Sequence, residues 1–131
     1  MTAERSDTRE LLDLTQQLLE SIARANWEAY SSLCDPTLTA FEPESCGALV
    51  EGMGFHHFYF RRGAAEGPSN ATICSPHVRL LGDVGIVSYV RLVQQLGSDG
   101  KPVTRRFEET RVWHRGERGW RHVHFHRSVA S

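Results

Sequence analysis

Lysine is almost missing from this chain: Lys101 is the only one among 15 basic residues. The rest are arginines, whose planar guanidinium groups favour bidentate contacts wherever they are buried. There is no excess of either charge. Sixteen acidic residues leave a net charge of −1, which gives no footprint for nucleic acid and no polybasic segment for a membrane surface. The three cysteines, Cys34, Cys46 and Cys74, are widely spaced and odd in number. They form no CxxC or Cys/His zinc pattern and read as buried free thiols in a reducing compartment. No apolar run approaches the ~18 residues of a membrane span. The first apolar residues recur with helical period, unlike a signal peptide. These absences point to a cytoplasmic protein with no membrane, nucleic-acid or cofactor partner. Repeats and low-complexity tracts are also lacking.

What is present fits one domain of 131 residues, 40% apolar and 24% charged, long enough to bury a core. Residues 1–7 are polar and expected to form a disordered tail, with the domain proper at 8–131. Ser6 or Asp7 suits an N-cap, and Leu11, Leu12, Leu14, Leu18, Leu19 and Ile22 mark one stripe of an amphipathic helix of about five turns. Asn26 can end that helix and cap a short second one carrying Trp27, Tyr30 and Leu33. Cys34-Asp35-Pro36 stops it, because the residue before proline is pushed out of the α region. Short strands are expected at Thr37–Glu42 and Cys46–Glu51. Phe55–Phe60 (FHHFYF) can be strand or helix by period. Helix is favoured, since Phe55, Phe58 and Tyr59 then share a face.

After the small-residue loop Arg61–Asn70 the chain changes character. Ala71–Leu81, Gly85–Leu96, Lys101–His114 and Trp120–Val129 read as long strands joined by short turns, hence an antiparallel meander and an α+β fold. On Gly85–Leu96 both faces are apolar: Val87, Tyr89, Arg91 and Val93 on one, Ile86, Ser88, Val90 and Leu92 on the other. A face packed on its own helix explains only one of these, so the other is expected to meet a second subunit.

The chemistry-bearing stretch is Glu108–Ser128. Alternation places Glu109, Arg111 and Trp113 on one face of its first strand. On its second strand Trp120, His122, His124 and His126 share one face, with Arg121, Val123, Phe125 and Arg127 opposite. Arg91, Arg111 and Arg127 each sit among apolar neighbours. If they line a cavity they attract a carboxylate, with Glu42, Glu109 and His56 as neutralising or gating partners. Otherwise they are structural and paired with glutamates or carbonyls. The HxHxH run can offer imidazoles to a metal, but no acidic or cysteine ligand accompanies it, so these read as sheet or interface histidines. A Cys–His or Glu42–His56 catalytic pair has no local signature.

Seven stretches in colinear order carry a family resemblance: Thr15-Gln16-Gln17-Leu18, Cys34-Asp35-Pro36, Thr39-Ala40-Phe41-Glu42-Pro43-Glu44, Leu49-Val50-Glu51-Gly52, Phe55-His56 with Phe58-Tyr59-Phe60, Glu108–His114, and Val123–Ser128. From Thr8 to Ser128 the chain resembles the association (hub) domain of calcium/calmodulin-dependent protein kinase II. The resemblance implies a nuclear transport factor 2-like cone, in which a long N-terminal helix packs on a strongly curved antiparallel sheet. It implies a non-catalytic hub that assembles into two stacked rings, roughly twelve or more copies in all, and tethers kinase domains. It also implies a pocket lined by Arg91, Arg111, Arg127, Glu42 and His56 that takes a small carboxylate or a linker peptide. The loop Arg61–Asn70 departs from animal hubs in being short and lacking their tryptophan. No kinase domain or calmodulin-binding helix accompanies the domain, so the chain is either a fragment of a kinase or a stand-alone hub, and the same fold also supports pocket enzymes.

Overall fold

The leucine stripe forms as a helix, α1 (Thr2–Ala23), which buries Leu11, Thr15, Leu18, Leu19 and Ser21 at four- and three-residue spacings. These features come from a computed structural model that describes residues 2–64 and 67–129. The helix starts before the cap expected at Ser6 or Asp7, and residues 2–7 form its first turns. Asp7 is tied to Arg115 of the sheet at 3.0 Å, an anchor that the local sequence does not reveal. Asn26 caps α2 (Trp27–Leu33), its side chain accepting from the Ala29 N–H at 3.1 Å. The chain leaves α2 in extended backbone at Cys34 and enters β1 (Cys34–Phe41). A short 3-10 turn (Pro43–Ser45) and β2 (Val50–Glu51) follow. FHHFYF is helical, as α3 (Gly54–Phe60). The four long strands are β3 (Ser69–Leu81), β4 (Val84–Leu96), β5 (Pro102–Gly116) and β6 (Gly119–Val129).

The strands form one six-stranded sheet in the order β2-β1-β6-β5-β4-β3. The meander β3 to β6 is antiparallel throughout. The expected strongly curved antiparallel cone is not what forms. β1 runs parallel to β6, making the sheet mixed, and the sheet is open, neither closed nor strongly curled. Short turns dictate antiparallel pairing only between successive strands. The pairing of β1 with β6, 85 to 88 residues on, is set by where α2 delivers the chain.

The helices cover one face of the sheet, here called inner. Leu11 of α1 seats directly on Gly85 of β4: a Cβ built at Gly85 would lie 2.3 Å from the Leu11 Cδ1. Tyr30, Leu38, Val87, Tyr89, Trp113, Trp120 and Phe125 complete the core. Aromatic contacts lock α3 to α2, with Trp27 stacked on His57 at 4.4 Å and Tyr30 against Phe60 at 4.7 Å. The outer face, including Ile86, Val90, Leu92 and Val112, is left half-exposed, with no covering layer among the described residues. Of the cysteines only Cys34 is buried; Cys46 is exposed and Cys74 half-buried, because both lie outside the core layer. No described helix is long and apolar enough to cross a membrane.

Candidate functional site

One irregularity decides which side chains meet. Val112 of β5 pairs with His124, but Trp113 pairs with His122, so Val123 is an extra residue in β6. A bulge of this kind reverses the alternation beyond it. Trp120 and His122 therefore point inward before the bulge, and Phe125 and Arg127 point inward after it. His124 and His126 turn to the outer face, where the His124 Nδ1 meets the Thr39 hydroxyl at 2.7 Å and His126 lies against Phe41. The strict two-residue alternation expected across Trp120–Arg127 is thereby corrected. The HxHxH run is split between faces, and no group of three or more metal-ligating side chains converges among the described residues.

Strand alternation on β4 and β5, with this bulge on β6, aims Arg91, Arg111 and Arg127 at the same inner region. They line a cavity of about 250 Å³ together with Glu42, Glu44, His56, Arg105 and Phe107. All five residues singled out from the sequence are thus brought to one place. The cavity is roofed by Ile22 of α1, Tyr30 of α2, and Tyr59 and Phe60 of α3.

Glu109 organises the floor. Its Oε1 accepts from Arg111 Nη2 at 2.9 Å, and its Oε2 accepts from Arg91 Nη1 at 3.1 Å. Tyr89 donates its hydroxyl proton to the same carboxylate and accepts from Arg111 Nε at 2.9 Å. Burial alone would raise the Glu109 pKa, but the guanidiniums of Arg111 and Arg91 outweigh it and hold the carboxyl down at about 2. Tyr89 is pushed above the ordinary phenol range, chiefly by burial. Arg111, only 1% exposed, also lies 4.4 Å over the Phe125 ring, and its Nη1 donates toward the His122 Nε2 at 3.4 Å. That contact leaves the His122 Nδ1 as the protonated nitrogen, facing the Cys34 thiol at 3.5 Å. Burial and the neighbouring Arg111 keep His122 well below its usual pKa. Burial likewise pushes the Cys34 thiol up to about 12, so the Cys34–His122 contact is no nucleophilic dyad.

At the mouth, Arg127 binds Glu44 of the 3-10 turn and lies 5.0 Å over Phe107, which Arg91 also approaches at 5.8 Å. Burial raises the Glu42 carboxyl above its ordinary range, partly opposed by Arg127. His56, 6% exposed, is held neutral with a pKa of about 4 by burial and then by Arg111. Two buried polar atoms of residues lining this cavity, Arg91 Nε and His56 Nε2, have no hydrogen-bond partner among the described residues. Two floor arginines share a single carboxylate, so the floor carries a surplus positive charge. Tyr89 and His122 were not singled out as site residues from the sequence. Tyr89 shares the face of Arg91 two residues on, which is the signal that finds it.

The chain is thus an α+β domain with a charged cavity between its helices and one face of an open sheet. Residues 7–131 match the family described as the calcium/calmodulin dependent protein kinase II association domain, and the chain belongs to that family. Its members are non-catalytic hub domains capable of oligomerising. The chain is 49% identical over 123 residues to the calcium/calmodulin-dependent protein kinase type II subunit delta of Oryctolagus cuniculus. That match covers 92% of this chain and 23% of the relative, so the chain spans about a quarter of the kinase's length. Among solved structures, the CaMKII hub homology domain of Chlamydomonas reinhardtii is 47% identical, with a TM-score of 0.88 over 95% of this chain and 99% of that one. The association domain of C. elegans CaMKII is 38% identical, with a TM-score of 0.93 over 98% and 100%.

Proposed function

We propose that this chain is a scaffold that assembles with copies of itself into a two-ring homo-oligomer of roughly twelve or more subunits and holds tethered partners, such as kinase domains, at high local concentration. The observation that carries this reading is the outer sheet face. Ile86 beside Val112, and Val90 and Leu92 beyond the intervening Ser88, are apolar side chains that the described helices leave half-exposed. Free thiols at all three cysteines favour a reducing compartment such as the cytoplasm. The test is absolute mass by light scattering or native mass spectrometry over a dilution series. A discrete assembly of a dozen or so 14.8 kDa chains that persists on dilution is expected. A monomer at micromolar concentration would end the proposal. Val90→Glu should break the assembly while leaving the helix and sheet signals of circular dichroism in place.

A second reading concerns the cavity. Arg91 and Arg111 share one carboxylate, and Arg91 Nε and His56 Nε2 lack partners among the described residues. This is a site short of one negative, hydrogen-bonding group, and a small carboxylate or the acidic side chain of a linker peptide supplies both. Saturable binding of a small carboxylate, lost in Arg127→Ala with the assembly mass unchanged, is the expected result. Normal binding by that variant would refute it.

A further inference from the structure

We propose that Glu44 is a built-in occupant of the pocket's anion site, a latch that an incoming carboxylate must displace from Arg127. The inference rests on the carboxylate-binding reading and adds its regulation. The two carboxylates that meet pocket arginines are held very differently. Glu109 is a fixed part of the floor, with a wholly buried side chain bound by two guanidiniums and a tyrosine. Glu44 reaches the pocket from outside the sheet, on the 3-10 turn between β1 and β2, and its side chain is 39% exposed. Its partner Arg127 is 14% exposed and lies on the cavity wall. Glu44 therefore presents to Arg127 the group that a ligand would present, from the solvent side. The arginine in turn holds that carboxyl below its ordinary range against the effect of burial.

The turn is built to let go. Its other hydrogen bonds run within it: the Ser45 N–H and hydroxyl to the Glu42 carbonyl, the Cys46 N–H to the Pro43 carbonyl, and the Ala48 N–H to the Ser45 carbonyl. These keep the turn's shape without tying it to the sheet. Cys46 and Gly47 both have positive φ, 52° and 88°, so the chain reverses sharply just after Glu44. Beside the turn an open cleft of about 550 Å³ is lined by residues of the turn and of the end of β6, Phe41, Pro43, Gly47, His126 and Val129 among them. Swinging Glu44 away from Arg127 breaks one partly exposed ion pair. Because pairs with an exposed partner are screened by solvent, the latch lowers ligand affinity only modestly and stays displaceable.

The experiment is calorimetric titration of benzoate into the assembled protein and into Glu44→Gln, Glu44→Ala and Glu42→Gln. Assembly mass is measured on each sample to establish that it is folded. Removing the latch should tighten benzoate binding about two- to fivefold in both Glu44 variants. Glu42→Gln removes a neighbouring pocket carboxylate that makes no ion pair with Arg127, and should change affinity by less. Binding unchanged in both Glu44 variants overturns the latch and leaves the carboxylate pocket standing. An equal gain in Glu42→Gln also overturns it, since net charge alone would then account for the effect. Failure of every variant and of the wild type to bind benzoate, at intact mass, overturns the pocket reading and the latch with it.

Discussion

Replacing Glu109 by glutamine tests the electrostatic account of the site most directly. The side chain keeps its shape and one acceptor oxygen for Tyr89 and Arg111, but it loses its charge and turns an amide NH2 toward Arg91 in place of the Oε2 acceptor. Two guanidiniums, Arg91 and Arg111, then remain in the interior with no counter-charge. The size of the loss can be worked from the proton equilibrium. The carboxyl stands at about 2 in the fold against an ordinary 4.5, which corresponds to about 3 kcal/mol favouring the charged form at neutral pH. Removing one member of a buried ion pair typically destabilises by about 3–5 kcal/mol, in agreement. The assay is urea unfolding at pH 7 followed by the fluorescence of the buried Trp113 and Trp120. Chain concentration must be fixed, because association adds to apparent stability. A loss of about 3 kcal/mol is expected. Adding Arg91→Met should restore part of it, since Arg91 then no longer repels Arg111, whereas Arg91→Met alone should destabilise. A loss below about 1 kcal/mol in Glu109→Gln, or simple additivity in the double variant, would refute the view that Glu109 exists to neutralise both arginines.

Two further outcomes follow from the same geometry. Gly85→Ala drives a methyl into Leu11, and overpacking of this kind should destabilise by about 1–3 kcal/mol in the same unfolding assay, with Leu11→Ala in the Gly85→Ala background relieving the clash. Stability should also fall on mild acidification. His56 is neutral in the fold with a pKa of about 4 against 6.5 when unfolded, so its contribution is complete above 6.5 and is lost as the pH drops toward 4, about 2 kcal/mol between pH 7 and pH 5. His122, depressed in the same direction, steepens that slope. Glu109 does not contribute until the pH falls below about 4.5. His56→Gln should flatten the midpoint-versus-pH profile between 7 and 5, and an unchanged slope would mean that the imidazole is already solvated.

How much of this was legible in the sequence depended on whether the deciding interaction was local. The leucine stripe of α1, the Asn26 cap and the four long strands could all be read because period, cap chemistry and short turns act over a few residues. Arg91 and Arg111 were placed rightly by alternation, since β4 and β5 pair in register without interruption. Arg127 also reaches the pocket, but not by the alternation first assigned to β6. Simple parity puts it with Arg121 and Val123, whereas the bulge at Val123 puts it with Phe125 on the face of Trp120 and His122. Nothing in Trp120–Val129 marks that extra residue, because a bulge is specified by the partner strand. The parallel pairing of β1 with β6 escaped for the same reason, and so did the early start of α1, whose anchor Arg115 lies 108 residues away from Asp7.

The bulge also explains how β6 serves both a charged pocket on one face and an uncovered sheet surface on the other. The bulge that turns Arg127 inward turns His124 and His126 outward. By absorbing Val123, the bulge keeps Phe125 and Arg127 on the pocket wall and His124 and His126 on the opposite face. Deleting Val123 would join His122 directly to His124 and restore strict alternation with the same facing, Phe125 and Arg127 inward and His124 and His126 outward. Pocket and outer surface should therefore both survive that deletion, with the assembly mass unchanged, whereas Glu109→Gln should damage the pocket floor and Val90→Glu the outer surface alone. Joint loss of both in the deletion would refute this placement of the bulge.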